Sequence, residues 1–276
     1  MTPHDRYSFT LEGTNGKGVV LVHGLTGIPG EMKFVAKNLH RAGYSVYAPL
    51  LAGHGMGEAA LMATRWQDWL EGLKRDITQF RRQVETLYTA GICVGGKLGM
   101  MAAQQLPGVI AASAIYSPCF RFDGWNVPWY YKLAPVGLPV MMHVPRWRER
   151  SYRETETLGI KDARRRQFMQ GANAEGVIDT FPAVSLFEMY RLGKALKAEL
   201  PRFETPTLVL HAREDDLSHP RHARAITRRI LGPHELHWVE DSYHMIHVDR
   251  AHTEVAARTA AFFARYAHAP AQESAA

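Results

Sequence analysis

The stretch Gly91-Ile92-Cys93-Val94-Gly95-Gly96 follows an apolar run and precedes a segment with helical character. A side chain set between glycines at the end of a strand is held in a strained turn that leads into a helix and presents it for reaction. Serine is the usual residue at the centre of such a turn, but this chain has cysteine there. We interpret Cys93 as a nucleophile on a tight turn, in preference to the alternative of a small core residue.

Apolar runs and helical patterns alternate on both sides of this turn. Residues 18–22 form a continuous apolar run, which is typical of a strand buried on both faces of a parallel sheet. Further strands are expected at residues 7–12, 44–50, 87–92, 109–116, 207–210 and 234–239. Their alternation with helices predicts the α/β class with a doubly wound, mostly parallel sheet. Thr64 and Gln67 predict a capping box at the start of one helix.

This alternation breaks after residue 118, where prolines and glycines interrupt an aromatic stretch and a basic stretch follows. We predict a core made of residues 1–118 and 202–268, with an inserted, partly helical cap at residues 119–201. Residues 269–276 are expected to form a flexible tail.

The composition narrows the functional class. Apolar residues make up 46% and charged residues 22% of the 276 residues, which predicts a folded chain with a large core. The net charge of +6 comes without a recognisable nucleic-acid motif, so nucleic acid is not an expected partner. No apolar run is long enough for stable membrane insertion. The two cysteines, Cys93 and Cys119, are expected to be free thiols in the cytoplasm.

Three loops at the carboxyl ends of the predicted strands should meet at one edge of the sheet. They contribute Cys93, a carboxylate after the strand at 207–210, and His244 after the strand at 234–239. We favour Asp215 as the carboxylate on register, with Asp216 as its rival. The chain order of nucleophile, acid and histidine predicts a Cys-His-Asp triad. No ligand set for a metal is apparent around the paired histidines, and no cofactor is expected.

Five segments resemble the α/β-hydrolase superfamily, and within it the bacterial carboxylesterase and monoacylglycerol lipase-like group. They are residues 21–27, 52–55, 91–96, 212–220 and 242–249. The resemblance implies an α/β-hydrolase fold in which Cys93 is the nucleophile, Asp215 the acid and His244 the base. It also implies that the backbone N–H groups of Leu25 and Val94 form the oxyanion hole.

The cap contributes candidate binding residues. Either an acyl-chain tunnel or ordinary packing of the cap would account for its aromatic and methionine side chains. The candidates for the tunnel are Trp125, Trp129, Tyr130, Met141 and Met142. The basic residues between 146 and 166 form either a solvated face or a docking surface for an acidic partner such as an acyl carrier protein.

Four hypotheses for the function remain open. The first is hydrolysis of an ester or thioester through an acyl-Cys93 intermediate. The second is an acyltransferase or condensing enzyme that passes the acyl group from a thioester donor to an acceptor other than water. The third is a non-catalytic binding protein, against which the acid and the histidine argue. The fourth is that Cys93 replaces a native serine, in which case a Cys93→Ser variant would gain turnover.

Overall fold

The computed structural model describes residues 2–171 and 176–266 of the chain. Its strands are β1 (Phe9–Leu11), β2 (Lys17–Val22), β3 (Ser45–Ala48), β4 (Thr86–Ile92), β5 (Ala112–Tyr116), β6 (Ser151–Arg153), β7 (Thr180–Pro182), β8 (Thr207–Ala212) and β9 (His234–Val239). Within the described ranges, seven of them form one sheet in the order β1-β3-β2-β4-β5-β8-β9, and β6 pairs with β7. β1 runs antiparallel to β3, and the other neighbours in the sheet are parallel.

Helices cover both faces of this sheet. In chain order they are α1 (Pro3–Tyr7), α2 (Lys33–Arg41), α3 (Glu58–Met62), α4 (Trp66–Phe80), α5 (Val94–Gln105), α6 (Ala134–Met141), α7 (Pro145–Arg148), α8 (Ala163–Gly171), α9 (Ala183–Glu199), α10 (Arg221–Thr227) and α11 (His252–Ala264). α2 packs against α11, whereas α5 packs against α4 and α9. The strands β5 and β8 are buried along their whole length, as strands covered on both faces must be. The prediction of a doubly wound, mostly parallel α/β sheet is confirmed.

The register of the parallel strands brings the predicted functional loops together. Ile92 at the end of β4 pairs with Tyr116 at the end of β5, and Tyr116 pairs with Leu210 in β8. In the next pair, Ala212 lies opposite Val239 at the end of β9. The loops that follow these strands therefore leave the sheet side by side at its carboxyl edge.

The predicted capping box at Thr64 and Gln67 is wrong by one residue. Asp68 Oδ2 accepts the backbone N–H of Arg65 at 2.8 Å, so the box lies one position later. The Thr64 hydroxyl donates to the carbonyl of Leu61 at 2.8 Å and accepts Trp69 Nε1–H at 2.8 Å. Thr64 therefore closes the preceding turn and holds Trp69, and its oxygen is not free to cap α4.

The segment between β5 and β8 contains α6 to α9 together with β6 and β7. α9 lies within the predicted cap, but it packs against α4 and α5 of the core, with Leu192 and Leu196 buried. The cap boundaries at 119 and 201 stay a prediction, and the tail at 269–276 lies outside the described residues. None of the helices in the described ranges combines the length and the apolar character needed to cross a bilayer.

The glycines of the quoted stretch let α5 pack directly on β2. A Cβ on Gly95 would lie 2.2 Å from the carbonyl oxygen of Val22 and 2.4 Å from that of His23. Because both obstacles are backbone atoms, we expect Gly95→Ala to lower the free energy of unfolding by about 3 kcal/mol or more. Denaturant titration measures this. Gly137→Ala in α6 is the control, because a Cβ there meets nothing within 4 Å. Similar unfolding midpoints for the two variants would contradict the packing argument.

Candidate active site

Cys93 lies at the junction of β4 and α5 in a conformation that few L-residues adopt. Its φ of 51° and ψ of −105° fall outside the usual regions, and such strain costs of the order of 1–3 kcal/mol. The conformation is held at both sides: the N–H of Cys93 donates to the carbonyl of Tyr116 at 2.9 Å, and the N–H of Lys97 donates to the carbonyl of Cys93 at 3.2 Å. Cys93 is 5% exposed and faces an internal cavity. The turn therefore presents the thiol to the cavity.

His244 and Asp215 form a hydrogen-bonded pair beside this thiol. His244 Nδ1 lies 2.9 Å from Asp215 Oδ2 and 3.1 Å from Oδ1. Asp215 also accepts the backbone N–H groups of Leu217 at 2.9 Å and Ser218 at 2.7 Å. Cys93 lies close to His244, and each of the two groups shifts the pKa of the other towards its charged form. The structure thus brings Cys93, His244 and Asp215 together.

Asp216 occupies a different position from its neighbour. Its Oδ1 accepts the backbone N–H of His244 at 3.2 Å, and its Oδ2 accepts the hydroxyl of Thr157. Asp216 therefore supports the His244 loop through the main chain, whereas Asp215 contacts the imidazole ring. Between the two carboxylates considered from the sequence, Asp215 is the one at the ring.

The charges in this cluster favour a thiolate next to an imidazolium. The neighbouring Cys119, aided by His244 and Lys97, lowers the pKa of the Cys93 thiol well below its ordinary value in spite of burial. Burial disfavours the imidazolium of His244, but the charge and hydrogen bond of Asp215 overcome it and raise the pKa of His244. Burial likewise opposes the ionised form of Asp215, and the charge of His244 more than offsets it, so the pKa of Asp215 is lowered. A cysteine in this state beside a histidine is chemically able to act as a nucleophile.

Two backbone N–H groups next to Cys93 are candidate donors: Leu25 lines the cavity from the loop before the 3₁₀ turn at residues 29–32, and Val94 follows Cys93 as the first residue of α5. In the described part of the chain, neither the N–H of Leu25 nor that of Val94 has a hydrogen-bond acceptor. Glu31 Oε1 accepts the N–H of Gly24 at 2.7 Å, and His54 Nε2 lies 2.7 Å from the carbonyl of Leu25. The loop is thus braced on both sides of Leu25. An unpaired N–H on a braced loop is the kind of group that stabilises an oxyanion.

His23 and His54 brace these loops, in agreement with their position next to glycines. His23 Nε2 accepts the N–H of Leu51 at 3.1 Å, so its Nδ1–H is free to donate to the carbonyl of Gly24 at 2.9 Å. Burial lowers the pKa of His54 to about 3, which keeps that imidazole neutral. Burial also lowers the pKa of His23, so both rings support the loops at Gly24 and Leu51 as neutral groups.

A cavity of about 520 Å³ opens at Cys93 and His244. The cap closes it with apolar side chains, including Leu158, Ile160 and Phe181, and Phe122 and Leu217 add to this wall. Carboxyl groups also face it: burial and the neighbouring Glu31 raise the pKa of Glu154 to about 8. The cavity can therefore hold an apolar acyl group and has a polar wall for the rest of the molecule.

The five cap residues proposed from the sequence for an acyl tunnel lie elsewhere. Trp125, Trp129 and Tyr130 are 61%, 73% and 52% exposed, and none of the five lines the cavity at Cys93. Tyr130 and Met141 line a separate cavity of about 130 Å³ between α6 and the core, and Met142 packs against the core. The walls at Cys93 come instead from residues 154–160, 169–170 and 177–181.

Two polar residues near the cluster, Lys97 and Ser218, were not predicted from the sequence. Lys97 is fully buried in α5, and its Nζ donates to the carbonyl of Cys119 at 2.7 Å. The Ser218 hydroxyl lies 3.0 Å from Asp215 Oδ2 and 3.4 Å from His244 Nδ1. Nothing in the sequence marks Ser218 as part of the site, apart from its position shortly after Asp215. The sequence does mark Lys97, because it is the one charged residue of α5, whose other residues are uncharged.

Cys93 lies on a strained strand-to-helix turn, and an acid and a histidine follow later strands of a mostly parallel sheet. This combination of features defines an α/β-hydrolase. Family comparison agrees with this class. The family described as serine aminopeptidase, S33, matches residues 14–251, and the chain belongs to it. The predicted resemblance to the carboxylesterase and monoacylglycerol lipase-like group, and the prediction of an ester hydrolase, are confirmed.

Individual relatives cover almost the whole chain. A thermostable monoacylglycerol lipase of Bacillus sp. (strain H-257) is 25% identical over 251 residues, which are 91% of each chain. A carboxylesterase of Bacillus subtilis (strain 168) is 23% identical over 88% of this chain and 89% of its own. A solved structure from a study of LipS and LipT, two metagenome-derived lipolytic enzymes, is 26% identical with a TM-score of 0.78 and covers 94% of this chain and 97% of its own.

Proposed function

We propose that this protein hydrolyses a carboxylic ester or thioester through an acyl-Cys93 intermediate. The observation that carries the proposal is the position of Cys93 beside the hydrogen-bonded pair of His244 and Asp215, at the wall of an apolar cavity. The unpaired N–H groups of Leu25 and Val94 add to it, because they are the donors that an oxyanion requires.

In the first half of the reaction, the Cys93 thiolate attacks the carbonyl carbon of the substrate. The carbonyl oxygen becomes an oxyanion that accepts hydrogen bonds from the N–H groups of Leu25 and Val94. When this intermediate collapses, the imidazolium of His244 gives its proton to the leaving alkoxide or thiolate, and the bond to that group breaks. The products are the free alcohol or thiol, neutral His244 and acyl-Cys93.

In the second half, neutral His244 takes a proton from water as the water attacks the thioester carbonyl. The same two N–H groups stabilise the second oxyanion. The carbon–sulfur bond then breaks, which releases the carboxylic acid and restores the thiolate beside the imidazolium. Asp215 holds His244 in one orientation and tautomer throughout, and it stabilises the positive charge of the ring.

The cavity favours a medium-sized monoester as substrate. Its apolar walls, from Leu158, Ile160 and Phe181, suit an acyl chain, and the carboxyl groups of Glu154 and Asp179 suit the hydroxyl groups of a polar alcohol. The similarity to a monoacylglycerol lipase makes a monoacylglycerol one such ester to test. Because the cavity is closed by the cap, bulky esters are expected to be poor substrates.

Steady-state assays with a panel of substrates test this function. Monoacylglycerols, simple alkyl esters and acyl thioesters of the same acyl groups are compared, with Cys93→Ala as the blank. We expect kcat/KM to rise with acyl length until the cavity is filled and then to fall. Absence of turnover above the blank for every ester and thioester would overturn the proposed hydrolysis.

Transfer to an acceptor other than water is the alternative, and two features support it. An acyl-cysteine exchanges readily with thiols, and the side chains of Arg146, Arg148, Arg150 and Arg153 form an exposed basic surface on the cap. An acidic acyl carrier protein would suit that surface. In single-turnover experiments, an acyl-enzyme that persists in water but is cleared by an added thiol or amine would favour transfer over hydrolysis.

The pH dependence of kcat/KM follows from the thiolate and imidazolium pair. Activity needs Cys93 deprotonated and His244 protonated, so it rises with pH through the lower apparent pKa of the pair and is lost above the higher one. Since the pKa of Cys93 is lowered and that of His244 is raised, we expect a broad bell whose acid limb lies below the free-thiol value of about 8.5. An acid limb near about 8.5 would mean that Cys93 is not activated in the free enzyme.

We also place the protein in the cytoplasm as part of this proposal. Cys93 and Cys119 are both buried free cysteines, and the mechanism needs the Cys93 thiol reduced. A reducing compartment maintains that state. Fractionation of cells that express the full chain, with detection of acyl-Cys93 in each fraction, would test the assignment.

A further inference from the structure

Lys97 is a charged residue in a place where charge is costly. It lies one helical turn after Cys93 in α5, between Gly96 and Leu98, and it is 0% exposed. An ammonium group has three donors and a full charge, and burying it without a counter-charge costs several kcal/mol. The one hydrogen bond that its Nζ makes within the described residues goes to the backbone carbonyl of Cys119, at 2.7 Å.

No carboxylate of the described residues forms an ion pair with Lys97. Burial lowers the pKa of Lys97, and negative charge on the thiols of Cys93 and Cys119 opposes this shift and favours the ammonium form. The thiol of Cys119 donates to the carbonyl of Arg121, with 3.2 Å between the sulfur and the oxygen. Cys119 also lies close to Cys93, so its S–H could turn to donate to the sulfur of Cys93 when Cys93 is ionised. The three residues thus form one buried cluster behind the nucleophile.

We infer that Lys97 and Cys119 are positioning residues that hold Cys93 in the thiolate form: Lys97 supplies the counter-charge and Cys119 supplies a hydrogen bond. This inference rests on the proposed role of Cys93 as nucleophile. In a simple cysteine–histidine pair, the histidine is the group that stabilises the thiolate. Lys97 and Cys119 would give the Cys93 thiolate a second source of stabilisation.

The other charged and titratable groups around the cluster come from three elements. His244 approaches Cys93 from the loop after β9, with Asp215 behind it on the loop after β8. Lys197 and Tyr190 approach from α9: Lys197 adds positive charge near Lys97, and Tyr190 lies close enough to Cys119 to sense its charge. Burial and the neighbouring Cys93 raise the pKa of the Cys119 thiol, and the charge of Asp215 adds to this, so Cys119 stays protonated and remains a donor.

This arrangement explains why cysteine occupies the turn. A serine hydroxyl is neutral at neutral pH, so it would leave Lys97 without a counter-charge in the protein interior. The surroundings of position 93 are therefore suited to an anionic sulfur, and they argue that cysteine is the residue for which this site is built.

The rate of Cys93 alkylation as a function of pH tests the inference without any acyl substrate. Iodoacetamide modification is measured by intact mass and by peptide mapping, and Cys93→Ala identifies any reaction at Cys119. To separate Lys97 from the imidazolium, the comparison is made both in the native chain and in a His244→Gln background. We expect Lys97→Met to lower the alkylation rate at about pH 6 by about tenfold or more and to move the midpoint to higher pH in both backgrounds.

A merely structural role for Lys97 would leave that midpoint unchanged, and this result would overturn the inference. Cys119→Ala should shift the midpoint in the same direction, whereas Cys119→Ser, which keeps an O–H donor, should shift it less. These variants serve the test if Lys97→Met fails to fold. Folding itself gives a further readout: the double variant Cys93→Ala with Lys97→Met should melt at a higher temperature than Cys93→Ala alone, because the single variant leaves the ammonium unpaired.

The two proposals can fail separately. If the midpoints shift but no substrate acylates the enzyme, the thiolate cluster stands and the acyl-transfer function does not. If Cys93 is acylated but Lys97→Met has the native alkylation profile, the function stands and the role of Lys97 and Cys119 does not.

Discussion

Replacing Cys93 with alanine is expected to lower kcat for ester or thioester turnover at least about 10⁴-fold, because the proposed intermediate forms on the Cys93 sulfur. Cys119 cannot substitute for it, since Cys119 is 0% exposed and burial together with Cys93 raises the pKa of the Cys119 thiol. The measurement is kcat in single-turnover and steady-state assays. Circular dichroism and a melting curve check that the variant is folded.

Cys93→Ser is the matched variant for the same position. It keeps the size of the side chain and the turn, but it removes the thiolate that pairs with Lys97 and His244. We expect turnover about 100-fold below that of the native chain, because a serine hydroxyl needs a neutral histidine as base and His244 favours the imidazolium. A rise in turnover would support the hypothesis that cysteine stands in place of a native serine and would contradict the role proposed for the buried lysine.

The second large effect is expected at Asp215. Asp215→Asn keeps an oxygen for the N–H groups of Leu217 and Ser218 but turns an amide donor towards His244 Nδ1. The imidazolium loses its counter-charge, and the neutral ring is driven to the tautomer that cannot accept a proton on the thiol side. We expect kcat to fall between about 10² and 10⁴-fold, the upper figure being that of a serine-protease triad. The acid limb of the pH profile should also move to higher pH.

Asp216→Asn is the control, since Asp216 is adjacent in sequence and equally buried but contacts the backbone of His244 instead of its ring. An asparagine oxygen can still accept that N–H, so we expect less than about a tenfold change in kcat. The assignment of the acid would be contradicted if Asp216→Asn were the more damaging of the two substitutions.

The sequence was most informative where backbone geometry limits the choice of residue. Where a helix packs directly on a strand, only glycine fits at positions such as 95. The glycines between residues 91 and 96 therefore mark this turn in the sequence. Apolar runs marked the strands, and parallel strands must place their carboxyl ends at one edge. The proximity of Cys93, Asp215 and His244 therefore followed from strand order alone.

The cap could not be predicted in this way. The expected tunnel residues Trp125, Trp129 and Tyr130 are exposed, whereas the cavity is closed by Leu158, Ile160 and Phe181. An inserted segment has no regular strand or helix pattern that fixes which of its apolar side chains turn inward, so hydrophobicity alone does not identify the cavity wall. Lys97 was missed for a related reason. Helical periodicity treats a lone lysine as solvent-exposed, and only the packing of α5 against its neighbours shows that it is buried.

The central claim is that acyl groups are carried on the sulfur of Cys93, and mass spectrometry tests it most directly. The native chain, Cys93→Ala and His244→Gln are each mixed with a panel of acyl esters and thioesters, quenched in acid, and analysed as intact protein and as peptides. We predict a mass increase equal to one acyl group in the native chain, mapped to Cys93, lost in Cys93→Ala, and longer-lived in His244→Gln because that variant lacks the base for hydrolysis. Turnover of a substrate without any acyl adduct at Cys93 in either the native chain or His244→Gln, or an unchanged adduct in Cys93→Ala, would contradict the account.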